Sequence, residues 1–334
     1  MVGGSILGSA ATRPTPVVSS AMSDRDPAVA GITVVIPVYN AELSLKQLVQ
    51  ELVGVLEGQE RAFEVLLVDD GSRDGSWQEI VAVAAEFGMV RGIRMMRNFG
   101  QHNAILCGVR EARYDVLVTM DDDLQHPPQE IPRMLVALAG ADVVYGTPRG
   151  ERHDVWRAVA SRVTKLALQS VMGAETARSV SAFRAFRTRL RGAFHDYRSP
   201  FLSIDVLLTW ATTRFTAIEV EHRERRYGKS NYTFRQLVAH AVNMMTGFSV
   251  LPLQIASLTG FAFTVFGLGV LVFVLGRYFI QGTSVPGFPF LASVVAIFSG
   301  AQLFALGIIG EYLARMHFRM MERPTYAVSE TTEK

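Results

Sequence analysis

The sequence predicts an α/β protein: a mostly parallel sheet with helices on both faces, then an amphipathic helix at a membrane interface, then two transmembrane helices. Three observations predict it. Between Gly31 and Ser230 short apolar runs alternate with stretches of helical period. Two of those runs stop in acids, at Asp69 and Asp70 and at Asp121, Asp122 and Asp123. Past Leu251, two long stretches carry almost no charge.

Residues 1–30 are rich in Ser, Ala, Gly, Pro and Thr without a sustained apolar period, and read as a disordered leader. No charged segment precedes the short apolar run SILGSAA, so a signal peptide is a poor fit. ITVVIPVY, bounded by turn residues, reads as a buried strand. In SLKQLVQELVGVLEG, Leu45, Leu48, Val49, Leu52 and Leu56 recur at helical spacing, and Gly58 closes the helix. FEVLLVDD supplies a second strand and DGSWQEIVAVAAEFG a second helix. VRGIRMM, QHNAILCGVREA, DVLVTM, PQEIPRMLVALAG and ADVVYG continue the alternation. Parallel neighbours need a crossover, usually a helix, so this repetition builds a parallel sheet covered on both faces. Ligands of such sheets bind beyond the carboxyl ends of the strands, where these aspartates crowd together.

LPLQIASLTGFAFTVFGLGVLVFVLGRYFI has no charge before Arg277, and FPFLASVVAIFSGAQLFALGIIGEYL follows it; each meets the roughly 20 apolar residues that a span needs. Arg315, His317, Arg319 and Arg323 come after the second stretch, whereas the linker QGTSVPGFP is uncharged. That asymmetry places the α/β domain and both termini in the cytoplasm, against an inner or plasma membrane. Two helices buried in a soluble core are the alternative. Before the first span, YTFRQLVAHAVNMMTGFS sets Phe234, Leu237, Val238, Val242, Met245 and Phe248 on one face, which suits a bilayer surface. The resulting divisions are 1–30, leader; 31–230, α/β domain; 231–249, interfacial helix; 250–318, two-helix membrane region; 319–334, cytosolic tail. Hydrophobic residues reach 49% and mean hydropathy is +0.22, high for a soluble protein. A net charge of +2 gives no reason to expect nucleic acid as a partner. The single Cys107 excludes an internal disulfide and reads as a structural thiol in a reducing compartment.

The chemistry centres on TMDDDLQHPPQE. Three carboxylates at a strand end repel one another unless a cation holds them. Oxygen ligands suit Mg²⁺ or Mn²⁺, and Mg²⁺ takes one or two carboxylates together with substrate phosphates. On an extended segment Asp121 and Asp123 point one way, Asp122 the other, and Gln125 continues the Asp121 side. A solvated acidic turn is the plain alternative, and His126 reads as a loop residue. Neither G-x-G-x-x-G nor G-x-x-x-x-G-K-[ST] occurs, so phosphates fall to a metal and to basic side chains. The candidates are Arg149, Arg157 and the segment HRERRYGKSNY, where Arg225, Lys229 and the backbone near Gly228 suit an anionic headgroup. A positive-inside surface run explains that segment equally well.

IPVYNAE (36–42), VDDGSRDGS (68–76), NFGQHNAI (98–105), MDDDLQHPP (120–128), RYGKSNY (226–232) and GIIGEYLARMHFRMMERPTY (307–326) together resemble the polyprenyl-phosphate glycosyltransferases. These are inverting family 2 enzymes with a Rossmann-like GT-A fold, akin to dolichyl-phosphate mannose synthase and to bacterial enzymes with two C-terminal spans. The likeness runs from about Ile32 to Tyr326 and rests on the order and spacing of the motifs. It implies nucleotide-binding roles for Pro37, Tyr39, Glu42, Val68 and Asp70. Asp121, Asp122 and Asp123 would join them at the donor, with Asp121, Asp123 and Gln125 holding Mg²⁺ or Mn²⁺ on its diphosphate. Arg149 and Arg157 would meet phosphates, and Arg225, Lys229 and Ser230 the lipid phosphate.

The resemblance also implies a reaction. A nucleotide-diphosphate sugar would pass its sugar, with inversion, to a polyprenyl phosphate of undecaprenyl, decaprenyl or dolichyl type. Cation and arginine neutralise the departing diphosphate. The attacking phosphate, with a second pKa of about 6, is mostly dianionic at neutral pH. The spans hold the catalytic face where the lipid headgroup is concentrated, and relatives imply a homotetramer by analogy alone.

The chain departs from the family pattern in places. Relatives usually carry an aspartate just before the Phe-Arg pair of ARSVSAFRAFR (177–187); here stand Arg178, Ser179, Ser181 and Ala182. Asp205 is then a candidate to organise the acceptor, a plain helix-surface aspartate being the equal alternative. Asn231 replaces a common lysine, and Ala41 an acid. Two other functions are weighed: a glycolipid or polysaccharide synthase, which usually has a Q-x-x-R-W motif absent here, and a non-catalytic membrane-anchored nucleotide-sugar binder.

Overall fold

A computed structural model describes residues 29–149, 179–199, 202–223, 251–281, 287–321 and 323–333. The leader up to residue 28, Arg157, Arg225, Lys229, Ser230 and the amphipathic segment at 231–249 lie outside the described residues. The elements are β1 Val29–Val38, α1 Glu42–Glu57, β2 Phe63–Asp69, α2 Ser76–Glu86, β3 Val90–Met95, α3 Gln101–Glu111, β4 Tyr114–Thr119, α4 Ile131–Ala137, β5 Val143–Pro148, β6 Arg184–Arg187, α5 Ile204–Ala211, β7 Phe215–Val220, α6 Leu251–Gln281, α7 Phe288–Met320 and β8 Val328–Thr331.

One eight-stranded sheet carries the domain, in the order β7-β5-β6-β4-β1-β2-β3-β8. β1 runs parallel to both β2 and β4, β2 to β3, and β5 to β7. The register aligns Val38 with Asp69 and Val35 with Thr119, so the carboxyl ends of β1, β2 and β4 open on one edge. Successive β1 residues face opposite layers: Val34 and Ile36 pack in the cluster containing α1 residues Leu48 and Leu52, while Val35 packs with α3 residues Leu106 and Val109. Strands buried on both faces read as continuous apolar runs, which is why ITVVIPVY and FEVLLVDD were legible without alternation. Gly108 lets α3 lie close on β1, since a Cβ there would meet Val35 Cγ1 at 2.3 Å.

Two strands break the parallel pattern. β6 lies antiparallel between β4 and β5, and β8 lies antiparallel on β3. Each has four residues, too few for a periodic signal, and every β8 residue is exposed. The segment read as a tail thus contributes an edge strand to the sheet.

Pro252–Arg277 and Ile297–Met320 are long and apolar enough to cross a membrane, with mean hydropathies of 2.4 and 1.4. Among the described residues of these stretches only Ala256 and Arg315 are buried, and Phe261, Phe266, Val272, Leu303 and Phe304 are all exposed. A helix in a soluble core buries such side chains, and these two helices do not. The two helices touch where Gly267 faces Phe298, whose ring also meets Phe263 edge-on at 5.7 Å.

Candidate active site

At the carboxyl edge the β1–α1 and β2–α2 loops clasp one another through backbone donors and short polar side chains. Asn40 N–H donates to Ser72 Oγ (3.0 Å), Ala41 N–H to Ser76 Oγ (2.8 Å), and Arg73 N–H back to Asn40 Oδ1 (2.8 Å). Asn40 takes a left-handed φ of 54°, which its short side chain tolerates. Glu42 Oε2 accepts the Gly75 N–H at 3.1 Å. Two motifs separate in the chain therefore form one rim, with Tyr39 43% exposed at its mouth. Pro37 and Val68 are aligned neighbours inside the sheet, and Val68 is fully buried. The Val68 side chain packs with the α3 layer beneath the rim, so a nucleotide could meet this residue only through its backbone.

The acids divide among three neighbours. Asp70 accepts the N–H groups of Phe99 (2.6 Å) and Gly100 (2.9 Å), tying down the loop before α3. Burial nevertheless pushes its carboxyl up to about 6, against those two hydrogen bonds. Asp121 Oδ1 accepts from Gln101 Nε2 at 2.5 Å, and Asp122 Oδ2 from Tyr39 N–H at 3.1 Å. Asp121 and Asp122 thus diverge, one toward α3 and one toward the β1–α1 loop. Asp123 Oδ1 accepts the Gln125 N–H at 3.1 Å. Between them Leu124 sits at φ 61°, so extended alternation ends before Gln125. The inference that Gln125 continues the Asp121 side is therefore corrected; its backbone is held by Asp123 and, through its carbonyl, by Arg223 N–H at 2.9 Å.

This cluster fits a divalent cation. Burial chiefly, and to a lesser degree the charges of Asp121 and Asp123, push the Asp122 carboxyl up to about 7. The donor set is all oxygen. Among the described residues no group of three or more His, Cys, Asp or Glu forms a metal cage. The fit is therefore to an ion that Asp121 and Asp123 would hold while substrate phosphates complete its shell.

The glycosyl transferase family 2 profile matches residues 33–197. An undecaprenyl-phosphate 4-deoxy-4-formamido-L-arabinose transferase of Proteus mirabilis is 36% identical over 304 residues, covering 90% of this chain and 93% of its own. The chain is a family 2 glycosyltransferase. Proteins of the same name from Enterobacter sp. (35%, covering 91% of this chain and 94% of theirs) and Pseudomonas aeruginosa (36%, 89% and 89%) are similarly related. A solved glucosyl-3-phosphoglycerate synthase from Mycobacterium tuberculosis, in complex with Mn²⁺, UDP and glucosyl-3-phosphoglycerate, shares 17% identity at a TM-score of 0.48, covering 65% of this chain and 78% of its own.

Further side chains gather around the end of β4 and along β5 and α5 of this glycosyltransferase. Thr119 Oγ1 donates to Ala182 O at 2.9 Å, which brings the acid-less segment beside the end of β4. His126 is buried, stacked on Phe183 (5.2 Å) and edge-on to His222 (5.5 Å); burial drives its pKa down to about 4. Arg149, at the end of β5, is exposed and 3.7 Å from Glu219. Asp205 is buried, taking both the Arg184 guanidinium (2.5 Å) and the Tyr145 hydroxyl (3.1 Å) on Oδ1. The role foreseen for it, an acid organising the acceptor, is corrected: it is the counter-ion of Arg184. No role was legible in the sequence for Gln101 or Arg184, although both stand inside quoted segments. A glutamine at a helix start has no pattern that reveals its partner 20 residues away.

Proposed function

We propose that this glycosyltransferase moves a sugar, with inversion, from a nucleotide-diphosphate sugar to the phosphate of a polyprenyl lipid at the cytoplasmic face of a membrane. One observation carries the proposal: relatives named for undecaprenyl phosphate match about nine-tenths of the chain, a length that cannot leave out both apolar helices. β7 precedes α6 and β8 follows α7 in one sheet. The crossing pair therefore returns to the side it left, with the catalytic edge held near lipid headgroups. Arg315 and Arg319 in the last turns of α7 and Arg323 just past it favour the cytoplasm for that side.

Within this reading Tyr39, Glu42 and Asp70 frame the nucleotide, and Asp121 and Asp123 orient the donor diphosphate. Mg²⁺ or Mn²⁺, when bound, neutralises charge on the leaving diphosphate. Arg149 offers a further positive charge at the strand ends, and Arg157, Arg225, Lys229 and Ser230 are assigned to the acceptor phosphate. A dianionic phosphate attacks without a general base, so Asp205 in an ion pair does not disable the reaction.

The test is nucleotide release by detergent-purified protein with Mg²⁺, across UDP-, GDP- and dTDP-sugars, each with and without undecaprenyl phosphate. Release from one donor only when lipid is present supports the proposal and identifies the sugar. Release independent of lipid, or none from any donor, overturns it.

A further inference from the structure

The last strand of the catalytic sheet is made by residues that follow both apolar helices. β8 pairs Glu330 with Arg94 and Val328 with Met95. Just past β3, Met96 N–H donates to Ala327 O at 2.9 Å, where the chain enters the loop whose Phe99 and Gly100 amides bind Asp70. Glu330 Oε1 holds Arg94 Nη1 at 2.8 Å, while Arg94 Nε lies 3.4 Å from Asp69 Oδ2. Asp69 is completely buried, and Oδ2 has no hydrogen-bond partner. Its other oxygen accepts the Ser72 N–H at 3.0 Å, and Ser72 Oγ accepts the Asn40 N–H of the rim. A buried carboxylate needs a countercharge, and Arg94 supplies it.

We propose that β8 is a positioning element of the donor site: Glu330 orients Arg94, Arg94 holds Asp69, and Asp69 holds the clasp that frames the nucleotide. This rests on the donor-site reading above. The C-terminal strand thereby ties the end of the second apolar helix to the rim. Glu333 supplies an internal control, because it belongs to the same tail but pairs with Arg91 and Arg113 beside Glu64, toward the opposite end of the sheet.

The experiment measures Kd for UDP, GDP and dTDP with Mg²⁺ by calorimetry, alongside Tm, for the full-length wild type, E330Q, R94Q, the double variant and E333Q. R94Q weakens the preferred nucleotide by about tenfold, as loss of a buried partner does. E330Q, whose pair is half-exposed, weakens it about two- to fivefold. The double variant binds no more weakly than R94Q, because Glu330 acts through Arg94. E333Q leaves the Kd within about twofold while lowering Tm as much as E330Q does. An unchanged Kd in E330Q, additive losses in the double variant, or an equal loss in E333Q overturns the inference alone. Wild-type protein that binds none of the three nucleotides overturns the donor-site reading, and this inference with it.

Discussion

Arg184 and Asp205 form an ion pair at 2.5 Å, with side chains only 2% and 7% exposed. Arg184 is among the largest fully buried side chains in the protein. Removing one member leaves the other charge uncompensated, whereas removing both as apolar residues of similar volume does not.

Asp205→Ala should therefore destabilise the protein by about 3–5 kcal/mol, and Arg184→Met combined with Asp205→Leu should recover much of that loss. Denaturation in detergent compares the two. A Tm unchanged in Asp205→Ala together with collapsed turnover would restore the acid role for Asp205.

Asp123→Ala should lower sugar transfer by at least about a hundredfold, since a charge-stabilising ligand at the diphosphate is lost. Chelation should act alike, with activity returning on addition of Mg²⁺ or Mn²⁺. Gln125→Ala, lying past the left-handed Leu124, should cost less than about tenfold. Steady-state rates decide; equal losses in the two variants would support Gln125 as a third ligand.

Gln101→Ala should reduce kcat/KM by about five- to tenfold, because Asp121 loses the amide that orients it. Gln101→Glu should be worse, placing a like charge at the same distance. Rates measured over a Mg²⁺ titration separate the two, and a neutral effect of both would remove Gln101 from the site.

The Asp70 carboxyl stands near 6 against an ordinary 3.8, chiefly through burial. Between about pH 4 and 6 the folded protein keeps a proton that the unfolded chain has released, so this group's contribution to stability falls as pH rises through that window. His126, lowered to about 4, acts in the opposite sense in any variant that retains it. The Tm difference between wild type and Asp70→Asn should isolate the Asp70 contribution and decline from pH 4 to 6. A flat or rising difference would sink the assignment.

Local pattern carried the first half of the domain. The apolar runs of β1, β2 and β4 and the helical period of α1 depend on burial face by face, which a sequence displays directly. The acids at the ends of β2 and β4 followed, because strand ends in a parallel sheet share an edge. The apolar helices α6 and α7 were equally plain, length and absence of charge being properties of composition.

What needed the tertiary structure is whatever depends on a partner far along the chain. The clasp between Asn40 and Ser72, the hold of Gln101 on Asp121 and the Arg184–Asp205 pair each join polar residues that look like ordinary surface positions in one dimension. Leu124 turned left-handed and moved Gln125 off the predicted face, because alternation lasts only while the backbone stays extended. β8 is the furthest such case: four exposed residues become a strand only because β3 offers them an unpaired edge. Sequence alone determined which segments bury apolar surface and which chemistry gathers at one edge. Folding decided which charges meet, since a hydrogen bond or ion pair is a property of two positions and local pattern reports only one.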